Sequence, residues 1–436
     1  MQADPAAKPA SNRVAWTTVG VLTVANSFAF LDRQVLSTLV DPIKEDLGFN
    51  DTQVAVLMGF AFALLFGVMG LPLGRWVDSG SRRAIAALGI ALWSLATAAC
   101  GLARSFGAFF TARVTVGIGE AALAPAAYSM IADLFPVHLR GRAVGVYTLG
   151  PATGSGVLLV AAGAIYAFYE RNGSPDFPVL GVLPEWQATF ITIGLPGLLV
   201  AAAMMLVPEP RRVDASGPTS IPLGEVVAHM RTNARVLVPF MLGFGLLTIK
   251  SYGISFWIMT FLQRSHELSV AESTAIYGPI VTVCSFFGVL LGGTVSDWLL
   301  KKGVQDSRVV VALGGNLLAM IPIVTYPLVE NTTLCVVLIA AYYSLASFTT
   351  PMGPTALADI TPPRMRGQLS AIFLFMVSII GLGLGPVSVS VLTDYVFRDP
   401  NDLRYSLSIV PLFTMALALV CLQLVRKHYH TMAENH

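Results

Sequence analysis

Five charged side chains stand inside stretches otherwise apolar enough to avoid water: Asp32, Arg33, Arg113, Glu120 and Lys250. A charge near the centre of a bilayer costs at least ~3 kcal/mol, so each one that persists is a candidate for function. Asp32 and Arg33 are adjacent, and Arg113 and Glu120 are seven residues apart, two helical turns, hence on one helix face. At a rise of about 1.5 Å per residue, Asp32 and Arg33 lie roughly 10–12 Å from the outer end of their helix, Arg113 about 9 Å and Glu120 about 20 Å. The depths overlap, so the four charges are expected to form one network of zero net charge. Two carboxylates and two guanidiniums in low dielectric make a switch, because Arg keeps its proton while a carboxylate can take one when its partner moves away. Asp32 and Glu120 are therefore the candidate proton carriers. Arg33, Arg113 and Lys250 are candidates to hold an anionic substrate group, with Arg33 alternating between that group and a carboxylate. The competing reading is a permanent structural ion pair.

The elements that position these charges follow from composition. Of 436 residues, 55% are hydrophobic and 12% charged, about half the charged fraction of an average soluble domain, so most of the chain cannot face water. Twelve mostly apolar runs reach the roughly 20 residues that a spanning helix needs. They read as 14–40, 54–77, 84–103, 107–131, 143–168, 188–207, 236–262, 273–299, 308–329, 333–358, 369–393 and 405–426. The runs are continuous and rich in Ala, Leu and Gly, whereas barrel strands alternate over about ten residues, so the expected fold class is an all-α membrane protein. With both termini on the cytoplasmic side, 18 Lys or Arg fall in cytoplasmic segments and six on the opposite face, which predicts that orientation, while the compact loops and 436-residue length point to an inner membrane. All six histidines map to loops or tails and the four cysteines to four different spans, so neither a metal centre nor a nucleophile with its base is expected, and enzymatic function is excluded.

The two halves of the chain are related. Gly74, Asp78 and Arg82-Arg83 are matched by Gly293, Asp297 and Lys301-Lys302 at identical spacing and an offset of 219. Asp133, Pro136, Arg140 and Gly141 are matched by Asp359, Pro362, Arg366 and Gly367 at an offset of 226. Two matches at nearly one offset, each at the cytoplasmic end of a corresponding helix, indicate duplication of a six-helix unit. The expected organisation is a leader 1–13, a first bundle 14–207, a cytoplasmic linker 208–235, a second bundle 236–427 and a tail 428–436. Within the linker, Val226 to Arg235 reads as plain linker in preference to a short surface helix. Lys250 corresponds at offset 219 to Leu31, beside Asp32-Arg33; cargo contact and snorkelling toward the interface both fit it.

These spacings resemble the major facilitator superfamily over essentially the whole chain. Its signature between the second and third helices is present as Gly74-Arg75-Trp76-Val77-Asp78-Ser79-Gly80-Ser81-Arg82-Arg83, with Ser79 and Ser81 departing from the usual basic residue and glycine. The resemblance implies a fold of two six-helix bundles. It also implies a gating role for Gly74, Asp78, Arg82, Arg83, Asp133, Arg140, Asp297, Lys301, Lys302, Asp359 and Arg366. Physically, an Asp at a helix end can accept from a neighbouring helix N-terminus and Arg residues can bridge to the other half, latching one conformation. Gly150-Pro151-Ala152-Thr153-Gly154 resembles the superfamily's antiporter motif, whose physics is helix bending and close packing. Phe30-Leu31-Asp32-Arg33, the run Arg113 to Ala122 and the loop Asp133 to Ala143 look like the spinster branch, whose animal members export sphingosine phosphate or carry lysophospholipids. The resemblance thus implies a secondary active transporter of an amphipathic anion, proton-coupled, working by alternating access as a monomer in the bilayer. No cofactor beyond the proton gradient and no nucleic acid is implied. A multidrug or organic-anion antiporter and an uncoupled facilitator are the alternatives.

Overall fold

The computed structural model describes residues 12–178, 180–212, 223–362 and 364–433. Among them are twelve helices long and apolar enough to cross a membrane. The first half comprises α1 (Asn12–Thr38), α2 (Asp51–Gly70, its helix running on to Ser79), α3 (Arg82–Cys100), α4 (Phe106–Leu134), α5 (His138–Asn172) and α6 (Glu185–Leu206). The second comprises α7 (Ala234–His266), α8 (Val270–Lys301), α9 (Ser307–Leu328), α10 (Thr332–Asp359), α11 (Arg366–Phe397) and α12 (Pro400–Lys427). In lipid each helix must satisfy its own backbone groups, which is why apolar runs of this length fold this way. Their starts are set by side chains that accept from orphan N–H groups. Asn50 with Gln53, and Ser269 with Glu272, form reciprocal capping boxes at α2 and α8, while Ser105 and Asn331 cap α4 and α10.

Hydropathy places every span but trims the longest ones, because helices carry polar turns beyond the apolar run. Thus α5, expected over 143–168, covers His138–Asn172, and α11, expected over 369–393, covers Arg366–Phe397. Two further helices flank the spans. Val40–Leu47 joins α1 to α2, and Leu223–Thr232 replaces the plain linker expected there, pinned by the fully buried Val226. Linker residues 213–222 and leader residues 1–11 lie outside the described residues. A two-residue hairpin pairs Asp176–Phe177 with Gly181–Val182 between α5 and α6.

Both ends of the described chain lie on one face, here the terminal face; the other is the distal face. The two halves meet along α1–α7, α2–α11 and α5–α8. Each of α2, α5 and α11 is interrupted at its contact by a widened π turn, Val56–Phe60, Thr153–Leu158 and Ile379–Leu384. A Cβ at Gly59 would strike the Leu382 carbonyl, and one at Gly156 would strike Thr282 and the Gly278 carbonyl, so backbones touch where the halves join. Near the terminal ends the picture reverses: a Cβ at Gly74, Gly145, Gly293 or Gly367 would meet nothing within 4 Å. Among the described residues, the hydrogen bonds and ion pairs seen between the halves lie at mid-depth and at the distal face, which is the closed one.

The structure also explains why the two repeat offsets differ. Arg82 opens α3 and pairs with Asp133, and Arg308 near the start of α9 pairs with Asp359 at 2.8 Å. Both partners are related by 226 residues, so the equivalent of Arg82 is Arg308, not Lys301. Beyond the matched Asp78 and Asp297, the α2 helix ends at Ser79 whereas α8 continues to Lys301. The longer connection in the second half raises the offset from 219 to 226.

Candidate functional site

The centre of the first half is built by α1, α2, α3 and α4. Arg33 on α1 meets Glu120 on α4 through Nη2 at 2.6 Å and Nε at 2.8 Å from one carboxylate oxygen, Oε2. The guanidinium stands 4.6 Å from the ring centres of Phe30 and Phe62 and 5.0 Å from Phe66, an aromatic cradle on three sides. Its side chain is 12% exposed against 1% for Glu120, so the cation is the accessible member of the pair. Asp32 is bonded toward α3, where Thr97 donates to Oδ2 at 3.0 Å, and it stays within electrostatic reach of Glu120, Arg113 and Arg33. Asp32 Oδ1 and Glu120 Oε1 are buried with no hydrogen-bond partner among the described residues, so each carboxyl has one oxygen free to take a proton.

Arg113, expected among the groups that hold an anion, is placed differently. It is fully buried and donates to the main-chain carbonyls of Leu57 (3.1 Å), Asp32 (3.1 Å) and Met58 (3.4 Å). Leu57 and Met58 lie in the π turn of α2, which loosens the normal helical bonding and leaves carbonyls to be satisfied from outside. Gly117 brings α4 against the Phe62 carbonyl of α2 and so sets the guanidinium at that bulge. The four charges thus stay within electrostatic reach of one another, but their hydrogen bonds are unequal: one ion pair, Arg33–Glu120, one carboxyl bonded to a hydroxyl, and one arginine that braces backbone.

In the second half Lys250 does not snorkel. It is 2% exposed, its Nζ donates to Asn316 Oδ1 on α9 at 3.2 Å, and it stands 5.5 Å from the Tyr342 ring centre on α10. A chain of polar side chains links the halves beside it. Gln34 donates to Ser255 at 2.6 Å, Ser255 is 3.3 Å from Tyr277 OH, and Tyr277 OH is 2.8 Å from Tyr343 OH. Gln34 neighbours Arg33 on α1, so this chain starts next to the ion pair.

The expected cytoplasmic latch is not made in this conformation. Asp78 and Asp297 are exposed, and the arginines bond within their own half. Arg82 bonds Asp133 and Glu209, and Arg83 reaches the Met205 and Val207 carbonyls at the end of α6. Arg140 donates to the Phe135 carbonyl at 3.0 Å and Arg366 to the Thr361 carbonyl at 3.2 Å, the same bond repeated 226 residues on. Lys302 stacks on Trp298 and Lys301 is exposed. Among the described residues, the bonds of these arginines and lysines stay within their own half or go to the linker. They hold the linker, since Arg212 binds the Val77, Asp78 and Gly80 carbonyls and Glu209 accepts from Ser81, Arg82 and the Arg83 N–H. Burial alone would raise the Glu209 pKa, but the Arg83 N–H, Arg82 and Ser81 outweigh it and hold the carboxyl below its usual range. The anchor is thus complete above the ordinary carboxylate range and is lost only as pH falls through the lowered value.

The latch that is made lies at the distal face and had not been read from the sequence. Arg264 at the end of α7 bonds Asp41 at 2.5 Å and Asp51 at 2.8 Å, and Lys44 bonds Asp51 as well. Alongside, Asp394 at the end of α11 accepts from both the backbone N–H and the hydroxyl of Thr52, each at 2.7 Å. Opposite charges at helix ends were visible, but no spacing links partners more than 200 residues apart. Replacing Arg264 by Ala leaves the buried Asp51 with Lys44 alone and sets two carboxylates facing each other. Losing one partner of such a cluster costs roughly 3 kcal/mol, on the order of a hundred-fold in the balance between distal-closed and distal-open forms. Spin-label or fluorescence distances across the distal face should lengthen in Arg264→Ala; an unchanged distribution would show that backbone packing alone closes that face.

Among known proteins, the family model described as the Major Facilitator Superfamily matches residues 22–425. An MFS-type efflux pump of Mycolicibacterium smegmatis is 27% identical over 395 residues, covering 89% of this chain and 86% of the pump. A probable L-galactonate transporter of Escherichia coli is 25% identical over 430 residues, covering 95% of this chain and 90% of its own. The solved structure of a bacterial homologue of the human lysosomal transporter Spinster, in an inward-facing and unoccupied conformation, superposes with a TM-score of 0.77 at 26% identity and covers 98% of both chains.

Proposed function

Because this chain belongs to the Major Facilitator Superfamily and is a spinster-like, multi-pass membrane transporter rather than an enzyme, we propose that it moves an amphipathic organic anion by alternating access coupled to protons. The observation that carries this reading is the Arg33–Glu120 pair, whose more accessible member is a guanidinium lying near three aromatic rings. A proton on Glu120 removes the charge that holds Arg33, and the released fork then accepts an anionic head group while Phe30, Phe62 and Phe66 flank the adjoining apolar part. Asp32, the residue before Arg33, whose carboxyl is bonded among the described residues to Thr97, is a second proton acceptor. Lys250, with no carboxylate partner among the described residues, supplies attraction for the anion from the second half. The terminal face is taken as cytoplasmic in an inner membrane, as the 18-to-6 distribution of basic residues favours. In the distal-closed form the substrate site then opens inward.

A second reading has its own support. The hydroxyl and amide chain from Gln34 to Tyr343 could serve the hydroxyls of a sugar acid, and a sugar-acid transporter is among the relatives. Thermal unfolding of the purified protein against lysolipids, sphingoid phosphates, sugar acids and amphipathic drugs separates them. Stabilisation by anionic amphiphiles but not their neutral counterparts is expected. Stabilisation by sugar acids alone would replace the first reading with the second, and stabilisation indifferent to ligand charge would overturn both.

A further inference from the structure

The outer surface carries two apolar grooves of similar size and different chemistry. One, of about 650 Å³, lies between α3 and α4 toward the distal face and is lined by residues such as Leu92, Leu95, Ala99, Leu102 and Ala108, with no charged side chain. The other, of about 700 Å³, lies between α9 and α12 toward the terminal face, walled by Val310, Leu313, Leu317, Leu419 and Val420, with Arg426 and Lys427 at its mouth. Gly314 forms its floor, and a Cβ there would meet nothing within 4 Å, so the hollow owes its depth to a missing side chain.

The cations are fixed where a head group would sit. Arg426 is held at the rim by a 2.6 Å bond from its Nε to Asp306, and Asp306 is itself almost fully buried. Lys427 follows it, exposed and without an ion pair among the described residues. Counting Asp306, the rim keeps a net charge of +1. Water cannot cover an apolar wall that faces hydrocarbon, so a chain fills it. A basic rim at the level of one leaflet's head groups selects which lipid supplies that chain. We infer that the α9–α12 groove is a binding site for one anionic phospholipid of the terminal-face leaflet, with an acyl chain over Gly314 and its phosphate at Lys427 and Arg426. The α3–α4 groove, equal in size and uncharged, takes lipid chains without regard to head group.

Native mass spectrometry of the full-length protein, titrated with phosphatidylglycerol or with phosphatidylcholine of the same chains, tests this. One free cation near a membrane surface gives roughly a five-fold preference for the anionic lipid. Wild type should show that preference. Lys427→Gln should bind both lipids equally, Gly314→Leu should bind both more weakly by filling the groove, and Ala99→Leu in the uncharged groove should keep the preference. Glycerol phosphate, a head group without chains, should not compete. Equal affinity for the two lipids in wild type, or an undiminished preference in both Lys427→Gln and Gly314→Leu, would overturn the assignment, as would full competition by glycerol phosphate.

Discussion

Glu120→Gln should abolish substrate accumulation driven by a pH gradient while leaving substrate exchange across the membrane within a few-fold of wild type. Glutamine keeps the size of the side chain and still offers Arg33 an oxygen, so the α1–α4 contact survives. What disappears is the group proposed to be charged in one half-cycle and neutral in the other. Arg33 keeps some contact with water, so the loss of its counter-charge is tolerable. Accumulation in proteoliposomes should fall to the level seen without a gradient, while counterflow, which needs no net proton movement, persists. A variant that still accumulates substrate with the wild-type pH dependence would remove Glu120 from the coupling step and leave Asp32, tested by Asp32→Asn, as the sole carrier.

Arg33→Ala should be the most damaging change for an anionic cargo. A truncated, desolvated charge pair costs about 2–5 kcal/mol, so anion affinity should drop by at least roughly 30-fold, and that of a neutral analogue of the same shape far less. The same change strands Glu120, whose side chain is 1% exposed, without its cation, and stability should suffer. Arg33→Lys separates the two effects. It keeps the positive charge near Glu120 but not the two-pronged donor, so the protein should remain folded while anion binding weakens. Equal losses for charged and neutral ligands in the lysine variant would contradict the head-group role.

The five intramembrane charges were legible because charge in an apolar run is conspicuous, and the twelve spans because hydropathy reports length. What each charge touches was less legible. Arg33 and Glu120 meet, but Arg113, which shares its helix face with Glu120, turns to carbonyls at a π turn in α2. Nothing in the apolar residues Val56 to Phe60 announces that turn, since it arises from packing against α11. The repeat was readable from its loops, yet Arg82 was matched to Lys301 because equal spacing hides an insertion, and only the bond Arg308–Asp359 reveals the true equivalent. The distal latch was unreadable for a different reason: Arg264, Asp41 and Asp51 come together only after both bundles have folded. The signature loop was readable as a motif, but its contacts depend on which face is closed.

If a proton and an anion compete through the Arg33–Glu120 pair, as proposed, the two fluxes must be linked, and both are measured together. Purified wild-type protein in proteoliposomes, given an anionic substrate found by the unfolding screen, should move protons in fixed ratio with substrate when one side is acidified. An internal pH indicator and labelled substrate would record the two. Substrate flux that responds to its own gradient with no accompanying proton movement would contradict the account and leave Arg33–Glu120 a structural brace in an uncoupled facilitator.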